Sequence, residues 1–305
     1  MTSFRDNLIR WSIPSFLETL VKAIIMIVAA LLLSKEDFGI LTATMLIFTF
    51  HPILQLGIAD GLIIKMPGWY AKDMQHKIRK NLSISVTFVV SLILLISFIT
   101  LLSMNFYLTF SKVTFISFIY ISLLIPYQIF NHYLLLNRYT YNFKITFNAR
   151  TINITLRLLI QLPFLFVFGI YGFVIGEFLI YFLSSIYMHL VSPDKLTIKI
   201  NKSSLIKLLK YGFPIFIISF VGTLSTSLDK TIATYIFNFE EIAAIGLLAF
   251  IASLWVIISG QILSLFSQYV REFYVLLNDK ENTLRAYFIF ININSFIFFL
   301  FGSIF

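Results

Sequence analysis

The sequence predicts an all-α polytopic membrane protein of about nine transmembrane helices, with one six-helix lobe and the first half of a second lobe related to it as a parallel repeat. Three observations predict it. Hydrophobic residues make up 59% of the 305 and charged residues only 12%, with a mean hydropathy of +0.92, outside the range of soluble chains. Apolar runs long enough to cross about 30 Å of hydrocarbon recur along the whole chain. The segment LIRWSIPSF, Leu8 to Phe16, returns as LLKYGFPIF, Leu208 to Phe216, with apolar, cationic, aromatic, small, proline and phenylalanine in the same order. Chance likeness between hydrophobic helices does not predict the matched pairs Arg10 and Lys210, Trp11 and Tyr211, and Pro14 and Pro214, so an internal duplication is indicated.

The apolar runs cover residues 8–33, 38–64, 81–103, 113–136, 151–168, 173–191, 211–236, 241–266 and 285–305. The first carries Arg10, Glu18 and Lys22 and is too long and too polar for a cleavable signal peptide. His51 and Pro52 fall in mid-run, where proline removes a backbone hydrogen bond and bends the span. Pro14 and Pro214 read as first-turn prolines or shallow bends, and Asp60 and Glu177 as interfacial residues near helix ends. Runs five and six are joined by GIYG, Gly169 to Gly172, a tight turn. Beyond each copy of the repeat a polar residue and an acidic pair precede an apolar run: Ser34, Glu36 and Asp37 before Phe38, then Asn238, Glu240 and Glu241 before Ile242.

These features divide the chain into a first six-helix lobe at 1–191, a basic cytoplasmic linker at 192–210 and the start of a second lobe, about three helices, at 211–305. Phe305 lies inside an apolar run without a polar tail, so the second lobe reads as shortened at its C-terminus.

Net charge is +9, yet the basic residues sit in short loops, which points to membrane topology and away from nucleic acid. Arg5 and Arg10 flank the first helix, and Lys65, Lys72, Lys77, Arg79 and Lys80 fill the second loop. Arg138, Lys144 and Arg150 lie in the fourth, Lys195, Lys199, Lys202, Lys207 and Lys210 in the sixth, and Arg271, Lys280 and Arg285 in the eighth. Eighteen of 23 basic residues therefore fall on one side, which makes the N-terminus cytoplasmic. The opposite loops hold Lys35 and Lys112 among Glu36, Asp37, Glu240 and Glu241.

Polar residues recur at helical spacing inside the apolar runs. Trp11, Ser15, Glu18 and Lys22 share a face of helix one, where Glu18 and Lys22 can pair. Thr44, His51 and Gln55 do so in helix two, and Arg150, Asn153, Arg157 and Gln161 in helix five. Helix seven carries Ser219, Thr223, Thr226 and Lys230, with Asp229 beside the last. A lysine or arginine facing lipid at a helix centre costs about 3 kcal/mol. Lys22, Arg157 and Lys230 would together cost about 9 kcal/mol, so the stripes are expected to line one hydrated cavity. The substrate-binding candidates are Arg10, Glu18, Lys22, Gln55, Arg157, Asp229 and Lys230; Arg10 serves equally as a topology anchor. His51, Glu18 and Asp229 are candidates for proton or ion coupling.

Catalysis has no visible centre. There is no cysteine, and His51, His76, His132 and His189 lack ligand spacing. No Walker loop, HExxH, GxSxG or acidic metal cluster occurs, so neither a cofactor nor an enzymatic activity is expected.

The chain resembles bacterial polysaccharide flippases of the O-antigen type, in the superfamily of multidrug, oligosaccharidyl-lipid and polysaccharide exporters. The resemblance is carried by LIRWSIPSF, SKEDFGIL, LQLGIADGLIIK, FGIYGFVIGEFLIYF, KLLKYGFPIF, LDKTIATYIF and FEEIAAIGLLAF in that order. It implies two six-helix lobes facing each other as a V in the bacterial cytoplasmic membrane. It implies that an undecaprenyl-diphosphate-linked oligosaccharide is moved between leaflets, with membrane lipids and other polysaccharide assembly proteins as partners. It also implies cavity cations, which match Arg10, Lys22, Arg157 and the Asp229 and Lys230 pair by position and type. Two other functions compete: a cation-coupled small-molecule exporter, which would favour buried carboxylates over cations, and a membrane-embedded glycan polymerase, which would need a large outer loop.

Overall fold

The computed structural model describes residues 4–106 and 111–248. Its helices are α1 (Phe4–Leu32), α2 (Lys35–Phe50), α3 (Ile58–Ala71), α4 (Gln75–Phe106), α5 (Lys112–Tyr139), α6 (Phe143–Leu156), α7 (Leu162–Val191) and α8 (Lys202–Ile236). Residues 239–248 are helical as well. No strand occurs among the described residues. Most of the expected run 241–266 and all of 285–305 lie outside them.

Six helical stretches among the described residues are long and apolar enough to span a membrane. One of them, Phe143–Val191, has 49 residues and is a hairpin. Gly169, at φ 57° and ψ −133°, breaks its helix, and Arg157 on one leg bonds Glu177 on the other at 2.8 Å. In a straight helix those residues would stand about 30 Å apart. The tight turn expected at Gly169 is therefore present, and expected runs five and six are the two legs.

Run two is broken as its proline requires. Pro52 opens a 3-10 turn, His51–Gln55, followed by left-handed backbone at Leu56 (φ 46°) and Gly57 (φ 83°). A left-handed position favours glycine, and α3 restarts from there. Pro14 and Pro214, by contrast, lie well inside α1 and α8, which rules out first-turn placement, one of the two readings given for them.

Both copies of the repeat end in a capped turn. Ser34 Oγ accepts the Asp37 N–H at 3.1 Å to start α2. Asn238 Oδ1 accepts the Glu241 N–H at 3.0 Å, and Glu241 Oε2 accepts the Asn238 N–H at 3.2 Å, a reciprocal capping box. The recurring polar residue and acidic pair are thus helix-start signals.

α5 is the central post, packed against α7, α4 and α2. Tyr120, Phe130, Tyr133 and Tyr139 on it are buried. Apolar side chains such as Leu31, Leu159, Val167 and Ile218 are exposed, as lipid-facing residues must be. The expected linker 192–210 is non-helical only to residue 201, because α8 begins at Lys202. Its extended part is docked as a strap: Leu196 N–H donates to Tyr133 Oη at 3.2 Å, Thr197 N–H to Ser83 Oγ at 3.2 Å and Lys199 N–H to Thr87 Oγ1 at 3.0 Å. Asp194 pairs with Arg79 at 2.9 Å.

α3 and α8 cross with backbone against backbone. A methyl placed on Gly212 would lie 1.7 Å from the Gly57 carbonyl oxygen, and one on Gly61 would lie 2.3 Å from that of Leu208. Gly212→Ala is expected to lower the thermal unfolding midpoint in detergent by an overpacking cost of about 1–3 kcal/mol. Gly68, with nothing within 4 Å of an added methyl, should gain about 0.5 kcal/mol as Ala. Equal melting of the two variants would show that α3 and α8 do not meet at this crossing.

Candidate functional site

The polar stripes of runs one and five converge on Glu177 and Tyr181 of α7. Arg157, only 1% exposed, is the largest fully buried side chain among the described residues, and each nitrogen of its guanidinium donates a hydrogen bond. Nε donates to Asn153 Oδ1 at 3.1 Å, Nη1 to Gln161 Oε1 at 2.7 Å and Nη2 to Glu177 Oε1 at 2.8 Å. Gln161 Nε2 closes the ring by donating to Glu177 Oε2 at 3.0 Å. A planar fork met by fixed acceptors is the arrangement in which arginine can be buried.

Local backbone makes this alignment. Residues 157–161 form a π turn, and the Leu162 N–H reaches back to the Arg157 carbonyl. In an α-helix, residues four apart drift by about 40°; the wider π turn takes up that drift, so Asn153, Arg157 and Gln161 stay on one face. On the opposite leg a methyl on Gly176 would sit 2.9 Å from Gln161 Cα, and its absence lets the legs close.

A second ion cluster lies beside the first. Glu18, 5% exposed, takes Lys22 Nζ on Oε1 at 2.8 Å and Arg150 Nη1 on Oε2 at 3.0 Å. Arg150 also stacks over Trp11, 4.9 Å from the ring centroid. Lys22 Nζ donates to Tyr181 Oη at 3.1 Å, and the Arg157 guanidinium lies 5.5 Å from the Tyr181 ring centroid. Tyr181 therefore joins the clusters. Arg150, placed from sequence both in the fourth loop and on the polar face of helix five, is buried in the bundle.

Lys22, Arg157, Gln161, Glu177, Tyr181 and Lys230 line a cavity of about 360 Å³, walled by Phe48, Tyr120 and Tyr127. Three cations face two carboxylates in the joined clusters, which leaves one positive charge in excess, and Lys230 adds another. Tyr120 Oη and Thr42 Oγ1, both on the wall, have no hydrogen-bond partner among the described residues. Buried polar atoms of this kind need water or a ligand. Nothing in this donor set resembles a metal site: no group of three His, Cys, Asp or Glu residues gathers among the described residues.

The expected residues divide. Glu18, Lys22, Arg157 and Lys230 meet at or beside the cavity. Arg10, 12 residues before Lys22 and so about 18 Å along α1, is not on its wall. Asp229 is exposed and makes no ion pair among the described residues. Gln55 donates to Gln128 Oε1 at 3.3 Å, and His51 Nδ1 meets the Phe48 carbonyl oxygen at 2.6 Å; neither lines the cavity. The wall of α2 is instead Thr42, Met45, Leu46 and Thr49, a helical face that the 3-10 turn separates from Gln55. The missed residue is Glu177, read as interfacial but paired with Arg157. Its signal was the pair Glu177 and Tyr181, four apart in GEFLIYF.

Glu177→Ala leaves Arg157 buried without its carboxylate, a loss of about 3–5 kcal/mol. The variant should melt well below the parent in detergent. The double variant Arg157→Met, Glu177→Met, which removes both charges at similar volume, is expected to recover most of that loss. A Glu177→Ala midpoint equal to the parent's would rule the pair out.

The sequence profile of a family described as polysaccharide biosynthesis protein matches residues 28–299. No curated protein matches the chain significantly. The fold is similar to a multidrug resistance MATE family transporter of the MOP superfamily in its outward-facing conformation. There the TM-score is 0.74 at 14% identity, covering 98% of this chain and 71% of that one. It is also similar to a MOP superfamily transporter from Pyrococcus furiosus described by the reverse polarity of its binding pocket, with TM-score 0.68 at 15% identity over 95% of this chain and 69% of that one. An inward-facing conformation of a multidrug resistance MATE family transporter gives TM-score 0.60 at 14% identity over 97% and 72%. At such identities the likeness is one of fold. With a multi-pass helical fold of the MATE type and a family match over most of its length, the chain belongs to the polysaccharide biosynthesis protein family.

Proposed function

We propose that the protein is a transporter, not an enzyme, which flips undecaprenyl-diphosphate-linked oligosaccharide repeat units across the bacterial cytoplasmic membrane by alternating access. The observation that carries this reading is the cavity's excess of positive charge at Lys22, Arg157 and Lys230. A diphosphate presents paired anionic oxygens, and cations in a site of low dielectric bind them through charge-assisted hydrogen bonds. Arg157 already has partners, so its part is to hold Glu177 and Tyr181 in place while leaving a net positive field. Lys22 is shared between Glu18 and Tyr181 and can turn toward an arriving phosphate. Glu18, which balances Lys22 and Arg150, is the carboxylate placed to take up a coupling proton or ion as that balance changes. Membrane lipids and other polysaccharide assembly proteins are the expected partners, and the lobes divide at the basic linker, 192–210.

Replacing Lys230 with Ala in the parent strain should reduce surface polysaccharide about tenfold or more, the effect of losing one charge-assisted hydrogen bond; Arg157→Ala should stop display as well, through the stability lost when Glu177 is left buried without its partner. In Lys230→Ala, lipid-linked repeat units should accumulate on the inner leaflet at unchanged protein abundance, and Arg157→Lys should keep part of the activity. Normal display in both alanine variants would defeat the cationic-cavity mechanism. Normal display with lost resistance to cationic drugs would assign the protein to small-molecule export.

Charge bias in the loops places the N-terminus in the cytoplasm. Because the chain has no cysteine, Lys77→Cys and Lys202→Cys can be tested directly with an impermeant thiol reagent and should label only after permeabilisation. Lys35→Cys should label in intact cells. The reverse pattern would invert the topology.

A further inference from the structure

Two isoleucines of the strap, Ile198 and Ile200, are 88% and 89% exposed. They do not hang from a loose loop. Thr197 and Lys199 bond through their backbone N–H groups to Ser83 and Thr87. Two residues of extended chain and one turn of helix both advance about 6 Å, so the strap is registered on α4. Residues two apart on an extended chain share a face, and Ile198 and Ile200 therefore project together.

Charge surrounds this apolar pair. Lys199, Lys202, Lys207 and Lys210 are exposed, and no Asp or Glu occurs between Asp194 and Asp229. Asp194 is engaged by Arg79. Ile206, 52% exposed, sits one turn from both Lys202 and Lys210 on α8. Depth is set by α4, in which Ser83 and Thr87 are in the first two turns of the apolar run 81–103. That places the strap about where headgroups meet acyl chains.

We propose that the strap and the first turns of α8 form a docking surface for anionic phospholipids of the adjoining leaflet, with Ile198 and Ile200 inserted among the acyl chains and the lysines on the headgroups. Isoleucines on a rigid extended segment flanked by unopposed lysines fit this interface better than water. A neutral leaflet would satisfy the isoleucines and leave the lysine cluster unmatched. The surface lies outside the cavity, so its failure would leave the transport reading untouched.

Single-cysteine variants of the full chain, Ile198→Cys, Ile200→Cys and Ile206→Cys, can carry a polarity-sensitive fluorophore, with Asp73→Cys as the aqueous reference. In phosphatidylcholine vesicles containing phosphatidylglycerol the three labels should emit to the blue and be quenched by spin-labelled lipid, not by iodide. The ratio of lipid to iodide quenching should rise about fivefold or more over pure phosphatidylcholine, since each lysine near an anionic surface is worth about that factor. The triple variant Lys199→Gln, Lys202→Gln, Lys207→Gln should lose that dependence while keeping its cavity and its melting point. Labels that stay open to iodide in both lipids overturn the proposal. So does protection that appears only with soluble polyglutamate, which would make the surface a site for acidic polypeptides.

Discussion

Arg157 cannot be placed in hydrocarbon without partners, and the first six spans are arranged so that it has them. Its guanidinium needs acceptors in one plane at three positions, and they come from α6, the π turn and the second leg of the α7 hairpin. The hairpin must therefore close tightly, which Gly169 and Gly176 allow. α1 must also approach α6, because the neighbouring Arg150 is balanced by Glu18. Charges that would each cost about 3 kcal/mol against lipid are thus what determines which helix faces which. The cavity is the space left where those faces do not fill one another.

The two clusters differ in how fully they are satisfied, and that difference separates scaffold from working part. The Arg157, Gln161 and Glu177 ring is closed and fixed by geometry on all sides. Lys22, in contrast, reaches Glu18 and Tyr181 from a half-exposed position on a flexible stem. A lysine is a compact charge that rotates easily, whereas an arginine fork is committed once bonded. Specificity for an anion follows from the mobile cation backed by a rigid positive field, with Tyr120 and Thr42 offering unsatisfied polar atoms on the facing wall.

Much of this arrangement is legible in the residues because period and cost act along one helix at a time. The stripes through Glu18 and Lys22 and through Asn153, Arg157 and Gln161 are readable from spacing, and all of these but the half-exposed Lys22 are buried. The break at Pro52 and the turn at Gly169 are equally local. What escaped the sequence depends on the relation between helices. Glu177 looked interfacial because nothing on its own helix explains it; its partner is 20 residues earlier on another leg. Gln55 and His51 fit helix two's stripe only if that helix is regular, and the 3-10 turn rotates them away. Asp229 shares a polar segment with Lys230, but adjacent residues on a helix point about 100° apart, and only one of them can face the cavity. The linker, basic and polar in composition, is ordered by Ser83 and Thr87, which nothing in its own sequence announces.

The crossing of α3 on α8 has a kinetic implication. Where side chains interdigitate, two helices can slide and repack by small steps. At Gly57 and Gly212 there are no side chains to exchange; the carbonyl of one backbone lies against the α-carbon of the other. A slight separation there admits neither lipid nor water, only a void. A gap of about 0.5–1 Å already forfeits about a quarter to a half of such contacts, so much of the resistance to parting α3 from α8 lies in the first small displacement.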